Sequence, residues 1–543
     1  MWRGYRLWPA LHEARGENLP VDKADREPPA PKVAILSSCA SRGGNSQYAA
    51  CHDTPAMAKI GCEPDFLHAT HELPLCVDLD RTLVKIDTLQ EAAFTACLAD
   101  WHTVFRLPLW LSRGRAFLKR ELAARWQFDP ANLPYNQTLL RHLKEERAKG
   151  RRIVLVTAAD LGVAQKISDF LGIFDEVIAS DGVRNLRGRA KATALRERLG
   201  AKKFIYAGND GTDQEIWRDA ADGIVVNGSR SAKHAAHKGH NVIQYIDERS
   251  HRLFLALAKA ARPYQWAKNL LVFVPLVASA DLGDVAAWRL TVYAFIALSL
   301  VASGIYLLND MTDLAADRAH PRKSMRPFAS GILRIGDGLA AVPALVLSGL
   351  FFGYASGALL AVTAYLGLSL AYTTKLKEMP LIDVFALAAL YSVRLVAGGE
   401  ASSHPVSQWL LGFSGFLFLS LALIKRVSEA RQLTTAGGAQ IPRRGYYAED
   451  LMMLQVMGCA SSFTSAVILS LYVQSYTAAQ IYMKPQALWG IVPLMLFWQC
   501  RLWLSAARGY VDDDPIVYSV RDWVSWVVFG CTLILVVIAH VTI

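Results

Sequence analysis

The chain has 543 residues, of which 53% are hydrophobic, and its formal net charge is +11. This length exceeds one ordinary domain, and the hydrophobic share exceeds what a soluble protein usually shows. The basic residues lie mainly in loops beside apolar runs, which favours membrane topology and anionic lipid over nucleic acid as their cause. We therefore expect a membrane protein with a soluble part and no nucleic-acid partner.

Three regions follow one another along the chain. Residues 1–71 mix Pro, Gly, Ser and charge without a hydrophobic period, which predicts a disordered segment. Residues 72–250 alternate polar and apolar positions like a soluble domain, and 251–543 contain one long apolar run after another. We predict a soluble α/β domain followed by an all-α membrane domain.

Three predicted buried strands of the soluble region lead into polar residues. The first leads into Asp78 and Asp80, the second into Thr157, and the third into a loop with Asp210 and Asp213. Open α/β sheets place their chemistry at the carboxyl ends of the strands. Lys191 opens a predicted helix between the second and third strands. The pattern predicts a site at this edge of the sheet.

In order along about 75–230, these four motifs resemble those of the haloacid dehalogenase-like hydrolases. The resemblance implies that Asp78 is a phosphoryl-accepting nucleophile and Asp80 the acid and base. It also implies that Thr157 and Lys191 hold phosphate, and that the residues between the first two strands form a small helical cap. The Mg²⁺ ligands would be Asp78 and Asp213, with Asp80 and Asp210 as further candidates.

One position departs from that family's pattern. Gly208 is followed by Asn209, where the family usually has Asp, and Asp210 comes one place late. This leaves metal binding open. It also leaves a second interpretation, in which the soluble domain is a regulatory or docking module without turnover.

Apolar runs predict nine membrane spans, at about 264–281, 288–308, 338–353, 355–373, 382–398, 408–425, 452–474, 487–505 and 522–541. The connections after the second, fourth, sixth and eighth spans are rich in Lys and Arg, whereas the opposite connections contain little more than Lys484. The positive-inside rule then places the soluble domain in the cytoplasm. We expect a multi-pass protein of the bacterial inner membrane.

An aspartate cluster follows the second span directly. Asp310, Asp313 and Asp317 share one helical face because they lie at positions i, i+3 and i+7. Divalent cations between the carboxylates would relieve their repulsion, and Lys323 and Arg326 supply positive charge for a phosphate. The pattern predicts a Mg²⁺-diphosphate site.

This cluster, with Asn309 before it, resembles the NDxxDxxxD motif of the UbiA superfamily of intramembrane transferases. The segments 262–269, 317–321 with 326–327, and 394–399 are similar to the branch typified by decaprenyl-phosphate phosphoribosyltransferase. That branch implies Mg²⁺-dependent transfer of 5-phosphoribose from phosphoribosyl diphosphate to a polyprenyl phosphate. Asp310, Asp313 and Asp317 would then be the catalytic, metal-binding residues.

Further residues near the same membrane face are candidates for phosphate or substrate binding. They are Lys268, Asn309, Lys323, Arg326, Tyr372, Lys375, Asp383, Arg394, Lys425 and Arg426. Asp383 is all that remains of the superfamily's second aspartate motif, so a second metal is left open. Charge inside a span is costly, which favours a function for Arg394 in particular.

Together the two resemblances imply a reaction sequence. The membrane domain would make a polyprenyl-linked 5-phosphoribose, and the soluble domain would remove the 5-phosphate. The product would feed a ribose or arabinose donor, such as one for arabinosylation of a rhizobial nodulation factor. Two alternatives stay open: a UbiA-type prenyltransferase with an isoprenyl diphosphate donor and an aromatic or other acceptor, and a transporter with carboxylates near mid-membrane. A homo-oligomer is also left open.

Overall fold

The computed structural model describes residues 73–229, 231–232, 242–247, 253–279, 283–435, 445–511 and 514–540. The predicted disordered segment 1–71 lies outside them, as does the predicted domain boundary at 250 and 251. In the described residues an α/β domain is followed by a helical membrane bundle, which confirms the predicted fold class. Both parts belong to one compact unit.

A six-stranded parallel sheet, in the order β3-β2-β1-β4-β5-β6, forms the centre of the α/β domain. The strands are β1 (Leu75–Val77), β2 (Ile153–Asp160), β3 (Glu176–Ser180), β4 (Ile205–Gly208), β5 (Asp222–Val226) and β6 (Val242–Ile246). All three residues of β1 are fully buried, as expected for a strand covered on both faces. Because β1 pairs with β2 and β4, the loops after these strands lie side by side.

Helices cover the sheet and fill the connection between β1 and β2. That connection holds α1 (Thr88–Ala99), α2 (Thr103–Ser112), α3 (Arg115–Arg125) and α4 (Gln137–Ala148), which confirms the predicted helical insertion. The other helices are α5 (Leu161–Leu171), α6 (Arg189–Leu199) and α7 (Gln214–Asp219). The Asp87 side chain accepts a hydrogen bond from the backbone N–H of Gln90 and so caps the start of α1.

The membrane bundle begins with α8 (Leu253–Ala261), a 3₁₀ segment (Pro263–Phe273) and α9 (Val274–Ser279). The following helices are α10 (Val285–Thr312), α11 (Leu314–Ala319), α12 (Ile335–Ala355), α13 (Leu359–Thr374), α14 (Ile382–Ser402), α15 (Gln408–Thr435), α16 (Leu451–Val473), α17 (Tyr476–Ile481), α18 (Ile491–Ala507), α19 (Pro515–Arg521) and α20 (Trp523–His540). Gly398 of α14 packs on the 3₁₀ segment so closely that a Cβ there would clash with the carbonyl of Val272.

Seven apolar segments of the described chain are long enough to cross a membrane. They are Val285–Thr312, Ile335–Ala355, Ile382–Ser402, Gln408–Arg431, Ala448–Val473, Pro485–Ala507 and Trp523–His540. The fourth predicted span forms the shorter helix α13, and the first forms the 3₁₀ segment and α9 rather than one helix. The multi-pass prediction is confirmed, whereas the count of nine stays a prediction.

The α/β domain contacts the membrane bundle through α1. Phe94 packs in an apolar cluster with Leu307 and Met311 of α10 and Ile335 of α12. Beside this cluster the chain that connects α10 to α12 carries the aspartate motif. Helix α1, the first helix after Asp78 and Asp80, therefore packs beside the loop that carries the aspartates of the membrane domain.

Candidate active sites

Asp78 follows β1 and stands at the centre of a buried hydrogen-bond chain. Lys191, in the first turn of α6, donates from Nζ to Asp78 Oδ1 at 2.8 Å and to the Tyr206 hydroxyl at 3.1 Å. The Tyr206 hydroxyl donates in turn to Asp213 Oδ1 at 3.1 Å. The structure thus brings together three of the predicted residues, and it adds Tyr206, which no motif indicated.

The loop after β4 holds Asp213 from the other side. The backbone N–H groups of Asn209 and Asp210 both donate to Asp213 Oδ2, at 3.0 Å each. Asp210 uses its own Oδ1 to accept from the N–H of Gly211 at 2.7 Å. Asn209 stands where the resembled family usually has Asp. The loop still forms these hydrogen bonds, but it has one carboxylate fewer at this buried position.

A cavity of about 400 Å³ opens over these side chains. Asp78, Asp80, Lys191, Asn209, Asp210 and Asp213 line it. Asp80 accepts a hydrogen bond from the backbone N–H of Thr88 at 2.8 Å, which ties it to the start of α1. Six acidic, basic and amide groups around one cavity make it a site for a compact, charged ligand.

Thr157 does not reach that cavity. Its side chain is fully buried, and its Oγ1 accepts from the N–H of Ala159 at 3.0 Å. In the same region Lys119 of α3 enters the cavity and donates to the Ala158 carbonyl at 2.5 Å and to Asn185 Oδ1 at 2.9 Å. The insertion thus supplies a cation that the sequence motifs did not indicate.

Burial changes the proton affinities of the two carboxylates after β1. It raises the pKa of Asp78 to about 6, although the adjacent Lys191 acts in the opposite direction. Burial and the charge of Asp87 raise the pKa of Asp80 to about 7. A carboxyl group with a pKa near 7 can hold or release a proton at neutral pH, which suits a general acid and base.

The aspartate cluster of the membrane domain lies where α10 ends and α11 begins. Asp310 is buried and pairs with Arg262 and, at 3.2 Å, with Arg326. Arg326 also donates to Asp317 at 2.7 Å, so one guanidinium bridges two of the three carboxylates. The sequence analysis predicted Arg326 as a phosphate-binding residue. It included Arg262 only within the segment 262–269 and gave it no role.

Asn309 and Asp313 complete this cluster. Asp313 lies 3.7 Å from Lys377 Nζ, at the end of the connection after α13. The side-chain oxygen of Asn309 is buried without a hydrogen-bond partner in the described part of the chain. Because an unpaired buried carbonyl oxygen is costly, a bound cation would satisfy this atom.

The donor types at both sites fit a hard cation such as Mg²⁺, which prefers carboxylate and amide oxygens. Within the described residues, however, no three His, Cys, Asp or Glu side chains are gathered as a ready-made metal site. At Asp310 and Asp317 the arginines hold the carboxylates instead. Asn309 and the three aspartates would hold a cation in the membrane domain, and Asp78 and Asp213 would do so in the α/β domain.

Two other predicted residues, Lys268 and Arg394, belong to a buried polar network. Lys268 pairs with Asp514, which precedes α19 and was not predicted. Arg394 donates from Nε to Asn269 at 2.8 Å and from Nη2 to the Tyr365 hydroxyl at 3.1 Å. Arg394 thus satisfies its charge with neutral acceptors, which leaves it able to attract an anion.

Asp383, Arg426 and Tyr372 form a separate cluster. Asp383 is fully buried and accepts from Arg426 at 2.5 Å and from the Tyr446 hydroxyl at 2.5 Å. Arg426 also contacts the Tyr372 hydroxyl at 2.9 Å and the Glu429 carboxylate. Asp383 is therefore engaged by protein groups, and Glu429, one turn after Arg426, is an acid that the sequence analysis missed.

The three remaining predicted cations differ in exposure. Lys323 and Lys375 are exposed on loops that were predicted to face the cytoplasm, and Lys425 is half-buried next to Arg426. Their role in phosphate binding stays a prediction.

Known proteins resemble this chain along both domains. Residues 270–438 match the UbiA prenyltransferase family. The chain is 36% identical over 461 residues to the uncharacterized protein y4nM of Sinorhizobium fredii, a match that covers 84% of this chain and 89% of that protein. A match of that length extends beyond the membrane bundle into the α/β domain.

Two relatives have more informative names. The nodulation protein NoeC of Azorhizobium caulinodans is 35% identical over 296 residues, which cover 53% of this chain and 94% of NoeC. The decaprenyl-phosphate phosphoribosyltransferase of Mycolicibacterium smegmatis is 33% identical over 292 residues, which cover 51% of this chain and 90% of that protein. The chain is therefore a member of the UbiA prenyltransferase family, and a protein named decaprenyl-phosphate phosphoribosyltransferase is among its relatives.

Proposed function

We propose that the membrane domain transfers 5-phosphoribose from phosphoribosyl diphosphate to a polyprenyl phosphate with Mg²⁺. The observation that carries this proposal is the group of buried acids and arginines at the end of α10, with the unpartnered oxygen of Asn309 among them. Such a group can bind a cation and a multiply charged diphosphate together. The relative named decaprenyl-phosphate phosphoribosyltransferase supports the choice of donor and acceptor.

In the proposed reaction an oxygen of the polyprenyl phosphate attacks the anomeric carbon of the ribose. A carbon–oxygen bond forms there, and the bond to the diphosphate oxygen breaks, so the electron pair leaves with diphosphate. Arg262 and Arg326 are the guanidinium groups nearest to the aspartates, and they would stabilise the leaving diphosphate. Mg²⁺ held by the aspartates and Asn309 would neutralise the remaining charge.

We propose that the α/β domain then removes the 5-phosphate. A carboxylate oxygen of Asp78 bonds to phosphorus while the bond from phosphorus to the ribose oxygen breaks, and Asp80 gives that oxygen a proton. Water then cleaves the aspartyl phosphate and releases inorganic phosphate. Lys191, 2.8 Å from Asp78, and Lys119 supply positive charge to the phosphoryl group, and Mg²⁺ held by Asp78 and Asp213 would add to it. Thr157, which is buried away from the cavity, has no part in this proposal.

The product of both steps would be a polyprenyl-linked ribose. We propose that it feeds a ribose or arabinose donor on the cytoplasmic face of the bacterial inner membrane. The contact between α1 and the aspartate loop supports a location of both sites on one side of the membrane. The name of the relative NoeC supports a role in nodulation, where arabinosylation of a secreted signal is the use we propose.

The transferase assignment is tested by supplying the protein with two different diphosphate donors in separate reactions. Membranes that contain the protein are incubated with Mg²⁺, polyprenyl phosphate and either labelled phosphoribosyl diphosphate or a labelled isoprenyl diphosphate. We expect label in lipid only from phosphoribosyl diphosphate, and its loss in Asp310→Asn. The matched control is Glu378→Gln, an exposed acid near Lys377. Transfer from the isoprenyl diphosphate to an aromatic acceptor would instead support the prenyltransferase alternative.

A further inference from the structure

Helix α2 exposes large apolar side chains although it belongs to the soluble domain. Phe105 is 69% exposed and Leu109 57% exposed, and Trp101, just before the helix, is 63% exposed. Trp101 and Phe105 contact each other edge to face, with ring centroids 5.7 Å apart. Because residues three to four apart share a helical face, Leu109 continues this surface. We call Trp101, Phe105 and Leu109 the apolar face of α2.

The charges around the apolar face are mostly positive, and Asp100, just before Trp101, is the acid that pairs with Arg106 there. From Trp101 to Arg120 the sequence contains five Lys and Arg residues and no Asp or Glu. An amphipathic helix with aromatic and aliphatic residues on one face and basic residues around it is typical of a segment that lies in the interface of an anionic membrane. A helix exposed to water on a soluble domain would not need this combination.

The apolar face also starts close to the membrane bundle. Helix α1 packs its Phe94 against α10 and α12, and α1 ends only five residues later, at Ala99. Five residues of helix advance about 7–8 Å, so the end of α1 lies only about that far along the helix axis from the residue that contacts the bundle. The position is continuous with an interface that already binds the α/β domain to membrane helices.

The other side of the same segment reaches the phosphatase cavity. Leu111 at the end of α2, and Arg115, Leu118 and Lys119 of α3, line the cavity that contains Asp78. Apolar and basic side chains thus lead from the exposed face to the buried carboxylates. A soluble sugar phosphate would not need such an apolar approach, whereas a phosphate attached to a lipid would.

We propose that the apolar face of α2 inserts into the interface of an anionic bilayer, and that it holds the cavity mouth at the membrane to receive a lipid-linked phosphomonoester. The bilayer contact rests on the exposed side chains, the charges and the position beside the membrane bundle. The substrate class rests in addition on the proposed function of the α/β domain.

Lipid contact is tested first, on the unmodified full chain. The protein is reconstituted in nanodiscs of phosphatidylcholine that carries a photoreactive acyl chain. One set of discs also contains phosphatidylglycerol and the other does not, and labelled peptides are identified by mass. We expect lipid adducts on the peptide with Trp101 and Phe105, and none on the peptide with Phe170, an exposed aromatic residue of α5. Adducts that are absent from the first peptide, or equal on both peptides, would overturn the proposal. Absence is also the result expected if the apolar face joins two copies of the chain instead of contacting lipid.

Substrate access is tested next by removing the apolar face. The triple variant Trp101→Ser, Phe105→Ser and Leu109→Ser should lose about tenfold in kcat/KM toward a lipid-linked 5-phosphoribose, because about 1.4 kcal/mol of lost binding is a factor of ten. Its rate on p-nitrophenyl phosphate should be unchanged, which also shows that the domain is folded. The control is Phe170→Ser with Val183→Ser.

The two readouts separate the two proposals. Adducts on α2 without hydrolysis of the lipid-linked substrate by the wild type would leave the membrane contact standing and contradict the proposed phosphatase function. Equal losses of the triple variant on both substrates would overturn the role of α2 in substrate access.

Discussion

Glu91 of the α/β domain and Arg318 of the membrane domain form a bidentate ion pair. The two terminal nitrogens of Arg318 donate to the two carboxylate oxygens of Glu91, at 2.9 and 2.5 Å, and both side chains are buried. Arg318 follows Asp317 directly in the aspartate motif, and Nε of Arg318 also donates to the carbonyl of Ala329 at 3.1 Å. The α/β domain therefore holds one end of the loop that carries the aspartate motif.

Breaking this pair should impair the proposed transferase site, because Arg318 is the neighbour of Asp317 in the chain. Glu91→Gln leaves Arg318 buried without its carboxylate, a change that typically costs about 3–5 kcal/mol. We expect the initial rate of phosphoribosyl transfer to fall by about tenfold or more, and the exchanged pair Glu91→Arg with Arg318→Glu to recover part of it. The control is Glu121→Gln, which breaks an exposed ion pair with Arg125. Equal rates in Glu91→Gln and wild type would show that the loop needs no such support.

Asn309 should contribute directly to the use of Mg²⁺. Its buried side-chain oxygen has no partner among the described residues, so a bound cation would satisfy it. We expect Asn309→Ala to raise the Mg²⁺ concentration for half-maximal transfer by about tenfold, as changes near metal ligands often do. Asn309→Asp keeps an oxygen and should stay close to wild type. An unchanged Mg²⁺ dependence of Asn309→Ala would remove this residue from the site.

The contact between Gly398 and Val272 should tolerate no side chain. Gly398→Ala pushes a methyl group into the carbonyl of Val272, and this 3₁₀ segment also carries Lys268 and Asn269. Overpacking of this kind costs about 1–3 kcal/mol. We expect a lower unfolding temperature of the detergent-solubilised protein and a higher KM for the phosphoribosyl donor. Gly415→Ala in α15 is the matched control and should not be destabilising, because a Cβ there would meet no described atom within 4 Å beyond its own stretch of helix.

Glu146 should make the α/β domain sensitive to acid. Burial alone would raise its pKa, but Lys149 and Arg151 donate to it and hold the pKa below the usual value. A carboxylate with a lowered pKa stabilises the folded state above its unfolded pKa of about 4.3 and loses that effect as the pH falls further. We expect Glu146→Gln to lower the unfolding temperature at pH 7 and to differ little from wild type at strongly acidic pH. A difference that grows on acidification would contradict this sign.

The sequence was most informative where chemistry is local. Asp78 and Asp80 follow a continuous apolar strand, and Asp310 and Asp317 lie only seven positions apart, so both sites were predicted from short segments, although the helix that was expected to carry the aspartates breaks at Asp313. Lys119 could not be predicted because its partner Asn185 lies 66 residues away and nothing near it marks a site. The same holds for Asp514, whose partner Lys268 is 246 residues distant.

Other expectations failed for physical reasons that the sequence does not show. Thr157 stands where a strand was predicted to end, but β2 continues to Asp160 and turns the hydroxyl into the interior. The first predicted span has the composition of a membrane helix, yet it forms a 3₁₀ segment that packs closely on Gly398, followed by a short helix. Local composition cannot reveal either outcome, because both depend on contacts between distant segments.

The most direct test of the two-step function follows one lipid through both domains. Membranes with wild type, Asp310→Asn or Asp78→Asn are incubated with labelled phosphoribosyl diphosphate, polyprenyl phosphate and Mg²⁺, and the lipids are identified by mass. We predict polyprenyl-linked ribose from wild type, its 5-phosphate from Asp78→Asn, and no labelled lipid from Asp310→Asn. The same phosphorylated lipid from wild type and Asp78→Asn would contradict the phosphatase step, and no labelled lipid from any of the three would contradict the transferase.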